Sequence, residues 1–247
     1  MSLPSLPRFE LTARRWATFI AHVFKATAKQ HHQELIPAFQ ALIPKDGVVF
    51  DVGAHAGQFA KLFSRLAPEG VVYSFEPGRY ARMVLMLALG LNRVGNVRIL
   101  PFGLSDRPDH LELSLPVKKS GSFGFGLGHL GKGDDTRAQV TETVDLVTLD
   151  GFAQAFPITR LDLIKADIEG WEMRMMAGGV ETLKRFKPAL WLELVDGHLK
   201  RAGDSVQSFW AFLEGLGYKP FLAQNDGSFV PVQSPREGDI VWRHQGP

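Results

Sequence analysis

Four acidic and glycine positions carry the spacing of a nucleoside site. Asp51 interrupts the apolar run Val48-Val49-Phe50-Asp51-Val52, and Gly53 and Gly57 follow it ahead of a helical stretch. An apolar run of this length reads as a strand buried on both faces. Strand, glycine turn and helix is the layout on which nucleotide ligands rest. Gly53 lets the chain turn sharply and lets a ligand approach the backbone, and Gly57 lets the helix start close to the sheet. The spacing is Asp-x-Gly-x-x-x-Gly. The dinucleotide fingerprint needs a central glycine for its pyrophosphate, and Ala54-His55 stand there instead. This favours a ligand with a nucleoside and no pyrophosphate, and S-adenosylmethionine fits. Its carboxylate can sit on amides at the helix start, with Asp51 facing its ammonium or sulfonium charge.

A second apolar run, Val71–Phe75, ends in Glu76-Pro77, and Glu76 lies 19 residues after Gly57. An acid there is placed to accept from both hydroxyls of a ribose. Gly103-Leu104-Ser105-Asp106 follows the third strand and reads equally as a partner for the adenine edge or as a turn. The candidate cofactor-binding set is therefore Asp51, Gly53, Ala54, His55, Gly57, Glu76, Pro77, Ser105 and Asp106.

The catalytic candidates come from further along the chain. A buried strand over 161–166 ends in Asp167-Ile168-Glu169-Gly170, which puts two carboxylates on the same rim. The segment 118–137 is dense in glycine and carries Phe123, Phe125 and His129, so it reads as a lid or acceptor-binding loop. An acceptor that is an alcohol would benefit from a base as its proton leaves. Asp167 and His129 are the candidates for that base, Glu169 orients Asp167 or the acceptor, and His198 is held in reserve. A divalent ion held by Asp167, Glu169 and Glu193 is conceivable, but these carboxylates come without a dense cluster, and no metal is assigned.

The elements that must position these residues alternate along the chain. Strands at 48–52, 71–75 and 97–100 are separated by helices at 58–66 and 79–91, the pattern of an α/β, doubly wound, mostly parallel sheet. Right-handed crossovers then bring Gly53, Glu76 and Ser105-Asp106 to one rim. Residues 111–117 alternate as a half-exposed strand, and 140–149 returns as another. A helix beginning at 171 is broken at Gly178-Gly179. Strands at 218–223, 229–232 and 240–242 close the sheet antiparallel. From Phe9 to about Gln40 the pattern is helical and basic, with Trp16, Phe19, Ile20, Val23 and Phe24 on one face, and Pro37 opens or breaks a second short helix. Such a helix can touch a membrane or partner, and covering an edge of the sheet or the site is the favoured reading.

The 247 residues divide as an N-terminal helical extension, 1–44, and one domain, 45–247. The net charge of +2 gives no case for nucleic acid as the main partner. The absence of cysteine excludes disulfides, thiolate chemistry and zinc–thiolate sites. No apolar run reaches membrane-spanning length and no signal-peptide pattern opens the chain, so no stable membrane insertion is expected and a cytoplasmic location is. Oligomeric state has no signature here.

The residues resemble the FkbM-type S-adenosylmethionine-dependent methyltransferases. The likeness runs through Phe50–Gly57, Ser74-Phe75-Glu76-Pro77, Gly103–Asp106, Val147-Thr148-Leu149-Asp150, Ile164-Lys165-Ala166-Asp167-Ile168-Glu169-Gly170 and Trp191-Leu192-Glu193-Leu194. It covers about residues 45 to 220. It implies a Rossmann-like, seven-stranded methyltransferase sheet and O-methylation of a sugar, glycan or natural-product hydroxyl, with a small-molecule or glycan acceptor. It also implies Asp51, Gly53, Gly57 and Glu76 as cofactor contacts. His55 stands where family members often have asparagine. Two other classes compete: a nicotinamide-dependent oxidoreductase, disfavoured by the missing central glycine, and a non-catalytic nucleoside-binding module on the same fold.

Overall fold

The computed structural model describes residues 13–116, 129–130 and 139–245. Two helices lead the chain, α1 (Ala13–Ala28) and α2 (Ile36–Leu42), joined through a 3-10 turn at Gln33–Leu35. The alternating core follows: β1 (Val48–Val52), α3 (Gln58–Leu66), β2 (Val71–Phe75), α4 (Arg79–Leu91) and β3 (Val97–Leu100). Next come β4 (Phe102–Ser105), β5 (Asp109–Pro116), β6 (His129–Leu130), β7 (Gln139–Thr148) and α5 (Leu149–Ala155). The chain continues through β8 (Leu163–Ala166), α6 (Glu172–Ala177), α7 (Val180–Phe186), β9 (Ala189–Leu194), α8 (Asp196–Ala202) and α9 (Val206–Gly215). It closes with β10 (Tyr218–Ala223), β11 (Phe229–Pro231) and β12 (Gly238–His244).

The main sheet has the order β11-β10-β12-β9-β8-β1-β2-β3. Strands β3, β2, β1, β8 and β9 are parallel, whereas β12 is antiparallel to β9 and β10, and β11 is antiparallel to β10. The sheet is thus the expected α/β, doubly wound, mostly parallel one, with eight strands where seven were predicted. The eighth is the short edge strand β11, which the sequence places at 229–232 and the family likeness does not count: the turn at Asn225-Asp226-Gly227 brings Ala223 opposite Phe229. The chain order reverses between β1 and β8, so a crevice opens at their carboxyl ends, where open α/β sheets bind ligands.

Strands β4, β7, β5 and β6 form a separate four-stranded sheet, with β4 parallel to β7 and the other pairs antiparallel. Gly103–Ser105, weighed as a turn, lies in strand β4. Of the predicted loop at 118–137, His129 and Leu130 form strand β6, with His129 opposite Ser114. The rest of that loop lies outside the described residues.

Alternation along β1 decides what the site is built on. Phe50 and Val52 join Phe75, Phe152, Ile164 and Leu192 in the larger core on one face of the sheet. Val49 joins Phe39, Leu62, Phe63, Leu163 and Trp191 on the other. Asp51 shares the parity of Val49, so it points to the α3 face, opposite Lys165 in the parallel register.

The first helix ends sooner than its pattern predicts, at Ala28. Its last carbonyls are taken by side chains of the core: Lys61 donates to the carbonyls of Ala26 and Lys29, and Asn92 to that of Thr27. These bonds satisfy the acceptors a helix end leaves open, and His32 then turns through a left-handed conformation. The break at Gly178-Gly179 lies where expected, between α6 and α7, because a Cβ on Gly178 would lie 2.1 Å from the Ser105 carbonyl oxygen. Among the described residues no helix is long and apolar enough to cross a membrane.

Candidate functional site

The turn after β1 is held by its neighbours' backbones. Gly53 has φ of 73°, and the amides of Gly53 and Ala54 both donate to the Phe75 carbonyl at 3.1 Å. A Cβ on Gly53 would lie 2.1 Å from the carbonyl oxygen of Asp167. The glycine is therefore required by the close approach of the loop after β8, where the sequence suggested the approach of a ligand. Gly57, with φ of 81°, caps α3, and its missing Cβ makes room for Leu85 of α4 at 2.4 Å. What Gly57 brings close is helix to helix, where helix to sheet was expected.

Glu76 ties the two strand tips together. Its Oε2 accepts the His55 amide at 2.8 Å and its Oε1 the Gly78 amide at 2.9 Å. Each oxygen keeps a further lone pair. Burial pushes its carboxyl up to about 7, against the pull of those two amides and of Arg82. Arg82 in turn donates to the carbonyls of Glu76 and Pro77, so the tip of β2 is clamped from both sides. Glu142 of β7 accepts the Arg79 amide at 2.9 Å, placing an acid at the start of α4. His55 has φ of 47°, and burial first, then the charge of Lys165, lowers its imidazole to about 4, so it is neutral at pH 7.

At the centre of the crevice lies a buried cation between two acids. The Nζ of Lys165 is 3.9 Å from Asp51 Oδ1 and 3.8 Å from Asp167 Oδ2. It also approaches the carbonyls of Val52 and Gly53 at 3.5 and 3.4 Å and lies over the Phe59 ring. Asp51 is fully buried, and neither oxygen has a hydrogen bond of normal geometry among the described residues. Burial raises its carboxyl to about 6 although Lys165 pulls the other way. Lys165 was quoted in the sequence without a role. The signal for one was available, since a lysine inside the buried strand Leu-Ile-Lys-Ala has to meet a charge.

Beyond Lys165 the rim is acidic. Glu193, at the end of β9, stands opposite Asp239 of β12. Glu193 is exposed to solvent, and partial burial, then hydrogen bonding and charge from Asp167, then Asp239 and Glu169, push it up to about 7. Asp239 is raised as well, by burial and by Asp167. Glu169 turns aside: it has φ of 57°, and its Oε2 pairs with His198 Nδ1 at 3.0 Å. Glu172 closes the loop beneath, accepting the Ile168 amide at 2.9 Å, and burial lifts it to about 7.

Ser105 and Asp106 sit at the end of β4. Trp171 donates through Nε1 to Ser105 Oγ at 3.2 Å, Ser105 donates to Asp106, and Arg174 covers the Trp171 ring. Strand β4 passes the tip of β2, since a Cβ on Gly103 would lie 3.6 Å from Pro77 Cγ. The crevice thus gathers Asp51, Gly53, Ala54, His55, Gly57, Glu76 and Pro77 on the β1–β2 side and Asp167 on the β8 side. Ser105 and Asp106 are joined to it through Trp171. His129 is known by its backbone pairing in the second sheet.

Residues 51–220 match the family model described as the methyltransferase FkbM domain. The chain is 26% identical over 148 residues to the 2-O-methyltransferase NoeI of Sinorhizobium fredii, covering 57% of this chain and 60% of that protein. It is 28% identical over 161 residues to the methyltransferase sdnD of Sordaria araneosa, covering 56% of this chain and 62% of that protein. The chain spans about three fifths of the length of the curated relatives it matches. In the solved structures, the methyltransferase FkbM from Methylobacillus flagellatus KT aligns with a TM-score of 0.50 at 11% identity, over 92% of this chain and 59% of that one.

Proposed function

The chain belongs to the FkbM methyltransferase family, and from that premise we propose that it moves a methyl group from S-adenosylmethionine to a hydroxyl of a sugar, glycan or natural product. The observation that carries the reading is Asp51. A buried carboxylate at the switch point of a doubly wound sheet, with no hydrogen bond of normal geometry among the described residues and its nearest cation, Lys165, as far as 3.9 Å, suits a ligand cation that donates hydrogen bonds. The ammonium of the cofactor is such a partner. Glu76 keeps one lone pair per oxygen for a ribose diol, and the start of α3 lies beside the turn for a carboxylate. His55, neutral at pH 7, adds no charge against a sulfonium.

When bound, the cofactor supplies an activated methyl group. The chain's own residues then hold the acceptor in line and take its proton. Positioning of this kind supplies roughly 7–11 kcal/mol of barrier lowering. We assign the proton to the carboxyl pair Asp167 and Glu193. Asp167 beside it helps to raise Glu193 to about 7, which suits a base working near neutrality. Glu169, paired with His198, orients the loop that carries Asp167. The oxygen acceptor is supported by the 2-O-methyltransferase among the relatives, and the near balance of charge favours a small molecule or glycan over nucleic acid.

Calorimetry with S-adenosylmethionine and with NAD tests the first half of the reading: binding of the former alone supports it, and binding of NAD alone overturns it. Transfer of radiolabelled methyl into a pool of glycans and metabolites, read by product mass, tests the second. Tight cofactor binding without single-turnover transfer to any acceptor would favour a binding module.

A further inference from the structure

The helix α1 is apolar on two faces, and the fold uses one. Phe19, Val23 and Ala26 pack against Ala56, Tyr80, Val84 and Ala88, which fixes α1 along α4 and over the turn that carries His55. His22 Nδ1 and Tyr80 OH are 2.8 Å apart in the same contact. Trp16, Ile20 and Phe24 recur one turn apart on the neighbouring face and are 50%, 62% and 72% exposed. On α4, Met86 and Leu91 are 56% and 65% exposed. Trp16 meets Phe19 edge to face, and half or more of each of these side chains stays exposed.

The charge on these two helices is one-sided. Residues 13–29 and 79–93 hold seven of the chain's 28 lysines and arginines and none of its 26 aspartates and glutamates. The rest of the chain is therefore net acidic. Lys25, Lys29 and Arg93 are exposed beside the apolar stripe. A twofold contact between two copies through this face would bring two basic-edged patches together, because such a contact pairs a patch with itself. An anionic surface offers the opposite sign together with an apolar interior for Trp16, Ile20 and Phe24. Aromatic and aliphatic side chains on one face, with basic residues along its edge, describe a helix that lies in a bilayer interface.

We propose that the α1–α4 face, through Trp16, Ile20 and Phe24 flanked by Lys25, Lys29 and Arg93, docks on anionic lipid bilayers. The α1 that would lie on the lipid also covers the His55 turn, so docking holds the crevice near the membrane. The proposal goes beyond the methyl-transfer reading and stands or falls without it, since no methyl donor enters its test.

The full chain is floated with vesicles of phosphatidylcholine alone and of phosphatidylcholine with about 40% phosphatidylglycerol. Expected is at least about tenfold stronger binding to the anionic vesicles, weakened by raising salt from about 0.05 to about 0.5 M. The triple variant Trp16→Ser, Ile20→Ser, Phe24→Ser should lose binding to both. These side chains are exposed, so its circular dichroism should match that of the parent. The pair Lys25→Glu, Lys29→Glu should lose only the preference for anionic vesicles. Equal binding to both vesicle types, no binding at all, or a triple variant that binds like the parent would overturn the proposal. A parent dimer in sedimentation, dispersed by the triple variant and indifferent to vesicles, would overturn it in favour of contact between copies.

Discussion

The amide of His55 donates to Glu76 Oε2 at 2.8 Å, and with the two amides on the Phe75 carbonyl this bond joins the turn after the first strand to the tip of the second. It keeps a buried carboxylate in place, and the cost appears in the acid–base behaviour of the protein. Burial raises Asp51 to about 6 and Glu76 and Glu172 to about 7. An acid whose pKa is higher folded than unfolded holds its proton more tightly in the native state, so its stabilising contribution is present at low pH and is lost as pH rises. The ligand-free protein should therefore become less heat-stable from about pH 5 to pH 8, as scanning calorimetry would read it. Glu76→Gln should flatten part of that fall. It should also weaken S-adenosylmethionine about tenfold or more, since a hydrogen bond to a charged group contributes roughly 1.5–3 kcal/mol. A stability that climbs through this range, or unchanged cofactor affinity, would contradict the assignment.

The two glycines of the turn should not be equally replaceable. Alanine at either meets the left-handed conformation, at about 1–2 kcal/mol. At Gly57 its methyl group meets Leu85 Cδ1, the far end of a side chain, whereas at Gly53 it meets the Asp167 carbonyl, which is backbone. Gly53→Ala should lose at least twice the unfolding free energy of Gly57→Ala in urea titrations. It should also perturb Asp167, so transfer falls further than stability alone explains. Equal losses would mean that the loop after β8 yields easily.

What could be read in advance follows from the range of each interaction. Strand β1, its glycine turn and Glu76 form a local pattern, and the residues that make them lie within 29 positions of one another. The parallel order followed from alternation of strand and helix. The separate β4-β7-β5-β6 sheet was not readable, because the half-exposed alternation of 111–117 says that one face is covered and not by what. The same limit hid the Lys165 pair: the sequence shows a lysine in an apolar strand, but its partner Asp51 is fixed only by register with β1, 114 positions earlier. The rim carboxylates lie closer in sequence, yet their meeting was no easier to read. Asp239 reaches Glu193 because β12 inserts antiparallel between β9 and β10, a topology that local pattern does not encode.

Lys165 should prove to be a positioning residue for the acids on either side. Removing one partner of a buried ion pair costs about 3–5 kcal/mol, because the other charge is left alone. Lys165→Met should lose stability on that scale. The double variant Asp51→Asn, Lys165→Met should recover part of it, since it leaves no orphaned charge. Because Lys165 lowers the Asp51 carboxyl, cofactor binding in the single variant should need a higher pH to reach its plateau. Strictly additive losses in the double-mutant cycle would show that the two side chains do not act on each other.

The base can be told from its competitors by pH. Glu193 stands near 7 because burial and Asp167 disfavour its charge. A general base must be ionised to act, so turnover should rise with pH through a limb near 7 in the parent protein. Glu193→Gln removes the carboxyl that stands near 7. That limb should then vanish, while kcat falls roughly 10²-fold or more and affinity for S-adenosylmethionine stays within about threefold, under ~1 kcal/mol. Asp167→Asn should lower kcat by a similar factor, and the pair should fall no further together than apart, because the two carboxyls act as one unit. Glu169→Gln breaks the contact with His198 and should shift KM for the acceptor more than kcat. His129→Ala is the competing experiment. If that variant alone abolishes the limb near pH 7 while Glu193→Gln retains it, the proton goes to the histidine, and the carboxyl pair on β8 and β9 serves only to orient the acceptor.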